Sequence, residues 1–86
     1  MKPSYPRAAD GLDVSETDDG LIVYDESTDR VHHLNQTAAV VFSLCDGTRS
    51  SEEIARGVAE VFGLDQPPET DTASCIADLT REQLIV

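Results

Sequence analysis

The chain has 86 residues, of which 17 are acidic and 6 are lysine or arginine, so its formal net charge is −11 at pH 7. One small domain fits this length, and because such a domain buries only about 60–65% of its unfolded surface, a deep enclosed active site is not expected. The acidic surplus disfavours nucleic acid as a partner, since DNA binding needs lysine and arginine to neutralise phosphates. No apolar run is long enough to span a bilayer and the N-terminus lacks the apolar core of a secretion signal, so we expect a cytoplasmic protein without membrane contact.

The first part of the chain predicts three short strands. Residues 1–11 carry two prolines and little apolar periodicity, which is typical of a flexible or extended lead-in before an ordered domain at residues 12–86. The ordered part begins with a strand that reaches a turn at Asp18-Asp19-Gly20, and the β-prone run at residues 21–24 predicts the second strand. After a further turn, the third strand is predicted at residues 30–34, RVHHL.

A helix, a short turn and a second helix are predicted to follow the strands. Asn35 can cap the first helix, and Asp46-Gly47 can end it. Ser50 and Glu53 are three residues apart, so each side chain can accept a hydrogen bond from the other residue's amide in a capping box, and Gly63 is suited to end the second helix. The apolar faces are expected to be Ala38, Val41, Phe42 and Cys45 in the first helix and Ile54, Val58, Val61 and Phe62 in the second.

A third helix is predicted after Pro67-Pro68, where the second helical pattern is broken. Its apolar positions are three or four residues apart and are Thr72, Cys75, Ile76 and Leu79. The terminal residues Leu84, Ile85 and Val86 are expected to fold back onto the core. Together the elements predict an α+β fold, a small winged helix-turn-helix-like domain with a three-stranded antiparallel sheet followed by three helices.

The residues that could carry chemistry lack the spacing that catalysis or metal binding requires. Cys45 and Cys75 lie in helical patterns, where a cysteine usually serves as a small buried hydrophobe. His32 and His33 are adjacent in a strand, so at most one ring can point toward the helices. No CxxC, HxxxH, phosphate-loop or dinucleotide motif is present. The sequence therefore predicts no metal site, no cofactor and no enzymatic activity.

The order and spacing of these segments resemble the PqqD-like family, also called RiPP recognition elements. The resemblance covers roughly Leu12 to Val86 and rests on the hairpin ending RVHHLN, the helix QTAAVVFSLCDG, the second helix TRSSEEIARGVAEVFG and a third helix that closes in a short apolar tail. Members of this family are small winged-helix modules that bind the leader segment of a precursor peptide. The resemblance therefore implies a non-catalytic peptide-binding module that hands the peptide to a modifying enzyme, such as a radical-SAM maturase, a leader peptidase or a cyclase.

The resemblance also implies where the peptide binds. A third strand at the sheet edge has unpaired main-chain groups that an extended leader peptide can complete as an added strand. The implied peptide-binding residues are Arg30, Val31, His32, His33 and Leu34 on that strand, and Thr72, Cys75, Ile76 and Leu79 on the third helix. For Ile76 and Leu79, plain core packing is an equal alternative, whereas Thr72 and Cys75 are expected to line a groove. For the histidines, an exposed ring without a role is the alternative to peptide contact or pH sensing.

Two other classes of protein share features with this chain. A winged-helix DNA-binding regulator shares the helix-turn-helix pattern, but the second and third helices offer only Arg56 and Arg81 among many carboxylates. An acidic carrier protein has a similar size and charge. Its phosphopantetheine site needs an Asp-Ser-Leu context that Ser43, Ser50 and Ser51 lack, and that class has no strand-rich N-terminal third.

Overall fold

Two hairpins form the sheet. The computed structural model describes residues 5–86 and contains the strands β1 (Leu12–Thr17), β2 (Gly20–Asp25) and β3 (Arg30–Asn35), paired antiparallel in the order β1-β2-β3. Gly20 is required in the first hairpin, because its φ is 153° and a Cβ there would collide with the carbonyl oxygen of Leu34 on β3. The predicted sheet is confirmed, and its third strand extends one residue further, to Asn35.

One face of the sheet is buried against the helices. On β2, Leu21 and Val23 point to this face and are buried. Their partners across the ladder are Leu34 and His32, which therefore face the helices as well. Side chains alternate along a strand, so His33 lies on the opposite face and is exposed. The expectation that only one of the two histidines points toward the helices is confirmed.

Three helices follow the sheet, α1 (Gln36–Leu44), α2 (Ser51–Phe62) and α3 (Glu69–Arg81). Three of the predicted caps are present, whereas α1 ends at Leu44 with Cys45 as its C-cap, before the predicted Asp46-Gly47. The side chain of Asn35 accepts a hydrogen bond from the amide of Ala38 at 2.9 Å, and Ser50 and Glu53 form both hydrogen bonds of a capping box. Gly63 ends α2 in the left-handed conformation, with a φ of 65°. The architecture is thus the predicted order of three strands and three helices.

The buried face of α2 differs from the predicted one. Ile54 and Val58 are fully buried as expected, but Val61 is 61% exposed, and the buried face is completed by Ala55 and Ala59. At roughly 100° per residue, these four buried positions cover one arc of the helix, and Val61 lies outside it. Phe62 falls within the arc but is the last helical residue, and its side chain is also partly exposed.

The core lies between the sheet and the helices. In α1, the predicted Val41 and Phe42 are buried, together with Cys45 directly after the helix, but Ala39 takes the place expected for Ala38. The last turn of the chain folds back as predicted and buries Leu84 and Ile85, whereas Val86 is exposed. Among the described residues, no helix is long and apolar enough to cross a membrane.

Part of the N-terminal lead-in is held by backbone hydrogen bonds. The amide of Ala8 donates to the carbonyl of Cys45 at 3.0 Å, and the amide of Ala9 donates to Leu84 at 2.9 Å. The amide of Val86 donates in return to Arg7 at 2.8 Å. Residues 7–9 are therefore joined by backbone hydrogen bonds to Cys45 and to the last residues of the chain. Residues 1–4 of the predicted lead-in lie outside the described residues.

Candidate functional site

Within residues 5–86, only β2 pairs with the third strand, so the other edge of β3 is free in this part of the chain. The carbonyl of Leu34 points toward β2, where it lies against Gly20. In an antiparallel strand, the amide and carbonyl of one residue point the same way and those of the next residue point the other way. Val31, His33 and Asn35 therefore direct their main-chain groups away from the sheet. These groups form a row of donors and acceptors that another extended chain can pair with.

A groove runs between this edge and α3. No Cα atom of β3 lies within 8 Å of a Cα atom of α3, so the two backbones are held well apart. The space between them is about 630 Å³ and opens to solvent. Its lining residues are Val31, His32, His33, Leu34 and Asn35 of β3, Thr37 and Ala38 of α1, Asp71, Ser74, Cys75, Asp78 and Leu79 of α3, and Glu82 and Leu84 after it. The groove thus joins the free main-chain edge to side chains of α1 and α3.

His32 of β3 lines the groove and reaches toward Glu82, the residue after α3. Its side chain is 13% exposed, and its Nδ1 lies 3.8 Å from the Oε2 of Glu82. Its Nε2 is buried and has no hydrogen-bond partner among the residues that the structure describes. A buried polar atom without a partner costs free energy, so this nitrogen is available for a hydrogen bond if the surroundings of the ring rearrange.

Three carboxylates line the α3 side of the groove. Asp71, Asp78 and Glu82 all line it and are seven and four residues apart, which places them along one side of the helix and its continuation. Asp78 also forms a solvent-exposed ion pair with Arg81, with 3.3 Å between Oδ1 and a guanidinium nitrogen. Between the carboxylates, Leu79 and Cys75 provide apolar surface.

The two thiols are poorly suited to act as nucleophiles. Burial raises the pKa of the Cys45 thiol to about 11, with smaller contributions from Cys75 and Asp46. Burial also raises the pKa of Cys75, assisted by the nearby carboxylate of Asp78. Both shifts favour the protonated thiol over the thiolate, which is the strongly nucleophilic form, so they disfavour a nucleophilic role at neutral pH. Within residues 5–86, no group of three or more His, Cys, Asp or Glu side chains is arranged to hold a metal ion.

Some of the peptide-binding residues predicted from the sequence line the groove, and others do not. Val31, His32, His33, Leu34, Cys75 and Leu79 line the groove, and Arg30, Thr72 and Ile76 do not. Thr72 was expected in the groove, but its side chain is only 3% exposed and belongs to the core face of α3. Ile76 is half-buried and packs against the core, and Arg30 is exposed at the start of β3.

Several groove residues were missed from the sequence. Of the predicted apolar stripe of α3, Thr72 and Ile76 pack on the core face, whereas Cys75 and Leu79 also line the groove. The groove face of the helix and its continuation carries Asp71, Ser74, Cys75, Asp78 and Glu82. These residues also recur at spacings of three, four, seven and eleven from Asp71. The pattern was visible, but polar residues at helical spacing usually indicate a solvated face.

Most of the sequence matches a model of a known protein family. The family model described as "Coenzyme PQQ synthesis protein D (PqqD)" matches residues 20–85, which is most of the chain. The chain belongs to the PqqD family. The match begins at β2 and includes β3 and all three helices, so it contains the whole groove. No curated protein matches this PqqD-family sequence significantly.

Two solved structures share the fold of this PqqD-family protein. One is described as "TbiB1 in Complex with the TbiA(beta) Leader Peptide", with a TM-score of 0.76, 20% sequence identity and coverage of 92% of this chain and 93% of the other. The second is described as "Lasso peptide synthetase B1 complexed with the leader peptide", with a TM-score of 0.77, 20% identity and coverage of 95% and 98%. Both were thus solved with a leader peptide bound.

Proposed function

We propose that this PqqD-family protein binds the leader segment of a ribosomally synthesised precursor peptide as an added strand along β3. The observation that carries the proposal is the free edge of β3 beside a groove that separates it from α3 by more than 8 Å between Cα atoms. A neighbouring strand lies about 4.8 Å from its partner, and the open groove of about 630 Å³ beside β3 provides the space for an extended segment there. The two proteins of the same fold that hold leader peptides support the same occupant.

Main-chain and side-chain contacts would have different roles. Hydrogen bonds to Val31, His33 and Asn35 would hold a peptide of almost any sequence, because they involve only its backbone. Every second peptide side chain would point into the groove, toward Cys75 and Leu79, and these contacts would set specificity. We expect micromolar affinity, about −8 kcal/mol, because one added strand buries less than a standard interface and must be ordered on binding.

The protein would present the peptide and leave the chemistry to a modifying enzyme, such as a radical-SAM maturase, a leader peptidase or a cyclase. Its two thiols are held in the protonated form, which disfavours a nucleophilic role. Binding to DNA is the weaker alternative, since a protein of net charge −11 repels phosphates.

The test is a pair of proline variants on the two edges of the sheet. Val31→Pro removes an outward amide from β3 and should weaken binding of the cognate leader peptide about tenfold, because one hydrogen bond is lost and the proline ring obstructs the edge. Val14→Pro is the matched control. On β2, the main-chain groups of Leu21 point to β3, whereas those of Gly20 and Ile22 point to β1. The residues of β1 opposite Gly20 and Ile22 therefore point toward β2. Val14 alternates with them, so its amide is directed outward on the other edge of the sheet.

Titration calorimetry with the cognate leader peptide gives the readout, and circular dichroism checks that both variants fold. Both valines are exposed, at 55% for Val31 and 44% for Val14, so the two substitutions are comparable in packing. Equal affinity of the two folded variants would contradict strand addition at β3.

A further inference from the structure

We infer that the groove selects a cationic segment, an extended peptide whose lysine or arginine side chains face α3. This inference rests on the proposed function, and it adds the chemical class of the peptide that β3 and α3 recognise. Among the described residues that line the groove, Asp71, Asp78 and Glu82 carry carboxylates and none is lysine or arginine. A peptide with positive side chains on its inner face would place them beside these three groups.

The nearby arginines do not cancel this charge. Arg81 pairs with Asp78 on the solvent side, where its side chain is 74% exposed and outside the groove lining. An exposed pair of this kind contributes little, so Asp78 stays available to a second cation. Arg30 is exposed at the start of β3 and does not line the groove either.

The groove suits the whole length of a lysine or arginine side chain. Its floor is apolar, formed by Leu34, Leu79 and the neighbouring Cys75, whose thiol is neutral. Its rim carries carboxylates such as Asp78. Long basic side chains bury their methylene stems on apolar surface and keep the charged end in water, so both parts find a partner here.

The spacing of the groups fits an extended chain. Side chains on one face of a strand recur about every 6.6–6.8 Å. Asp71 and Asp78 are seven residues apart on α3, which is about 10.5 Å along the helix axis. The two spacings differ by about 4 Å, and the long flexible side chains of lysine and arginine can span this difference, so two basic residues on the inner face of the peptide can reach the two carboxylates at once. The net charge of −11 adds a longer-range attraction that favours the encounter with a cationic segment.

The test is a display selection with the full chain as bait and random peptides of roughly 12 residues, about twice the length of β3. Each selected peptide is measured against the chain and against Val31→Pro. The binders that Val31→Pro weakens should be enriched in lysine and arginine over the unselected library.

A charge-neutral variant then tests the carboxylates. Asp71→Asn, Asp78→Asn and Glu82→Gln together should weaken the best binder about tenfold at about 0.05 M salt, with a smaller effect at about 0.5 M. The matched control neutralises three exposed carboxylates outside the groove lining, by Asp13→Asn, Glu60→Gln and Asp65→Asn. Because its net charge changes equally, it should lose clearly less affinity.

The outcomes separate the two proposals. Binders that Val31→Pro weakens but that show no cationic enrichment would overturn this inference and leave strand addition intact. Equal losses in both neutralised variants would also overturn it, since a general charge effect would then suffice. A selection without any binder that Val31→Pro weakens would overturn strand addition and this inference together. If the triple variant does not fold, Asp78→Asn alone is used, at a side chain that is 63% exposed.

Discussion

Gly20 shows how a single residue determines the geometry of the binding edge. Its backbone has a positive φ and lies against the carbonyl of Leu34, so the β2–β3 ladder leaves no room for a side chain. Gly20→Ala should lower the free energy of unfolding by roughly 2–4 kcal/mol, because it adds a collision to the backbone strain. Chemical denaturation measures this change.

Gly11 is the matched control for Gly20. Its φ is also positive, at 78°, but a Cβ there would meet nothing within 4 Å. Gly11→Ala should therefore cost only the conformational strain, about 1 kcal/mol. Similar losses in the two variants would show that the close contact with Leu34 does not contribute.

Cys75 offers a chemical readout of groove occupancy. Burial raises the pKa of its thiol, and the groove leaves it partly exposed. At about pH 7.4, iodoacetamide should react more slowly with Cys75 than with an unstructured cysteine, because a smaller fraction of Cys75 is in the thiolate form. Bound leader peptide should slow the reaction further. Mass spectrometry resolves Cys75 from the buried Cys45, and faster reaction than the unstructured reference would contradict the protonated thiol.

At the level of the elements, caps and turns make stability sensitive to acid. The hydroxyl of Thr48 holds the pKa of Asp46 below its usual value, the amide of Ser50 does the same for Glu53, and the Ser27 hydroxyl lowers the pKa of Asp25. A carboxylate with a lowered pKa in the folded state stabilises the fold above its unfolded pKa and loses this contribution as pH falls through the folded value.

The melting temperature should therefore be nearly constant from about pH 8 to about pH 5 and should fall below about pH 4. Thr48→Val removes the hydroxyl that donates to Asp46 at 2.6 Å and should flatten part of the acid slope. This comparison isolates the turn from the general effect of protonating an acidic protein. A variant with the same acid slope as the parent would show that the Asp46 turn contributes nothing.

The caps could be predicted from the sequence because each depends on neighbouring residues. Asn35, Ser50 with Glu53, and Gly63 all act within one helical turn, and all four are found as expected. The face that each helix buries could not be predicted as well. Periodicity gives the spacing of a stripe, whereas packing decides which stripe meets the core, and in α2 the core takes Ala55 and Ala59 while Val61 is exposed.

At the scale of the whole molecule, the groove depends on the distance between elements far apart in sequence. Leu79 packs into the core, and the backbone of α3 stays more than 8 Å from that of β3. The side of α3 that carries Asp78 therefore lines the open space between the two elements. The sequence indicated both elements and their order, and it placed Cys75 and Leu79 in the site. It could not separate the core face of α3 from its groove face, since Thr72 and Cys75 fit the same helical spacing.

The most direct test of strand addition is amide chemical-shift mapping by NMR during titration with the leader peptide. We expect the largest changes in chemical shift at the amides of Val31, His33 and Asn35, together with changes along the groove face of α3 at Ser74 and Cys75. Cross-strand nuclear Overhauser effects should then connect these β3 residues to an extended peptide. Perturbations confined to α1 and α2, with β3 and α3 unchanged, would contradict the account.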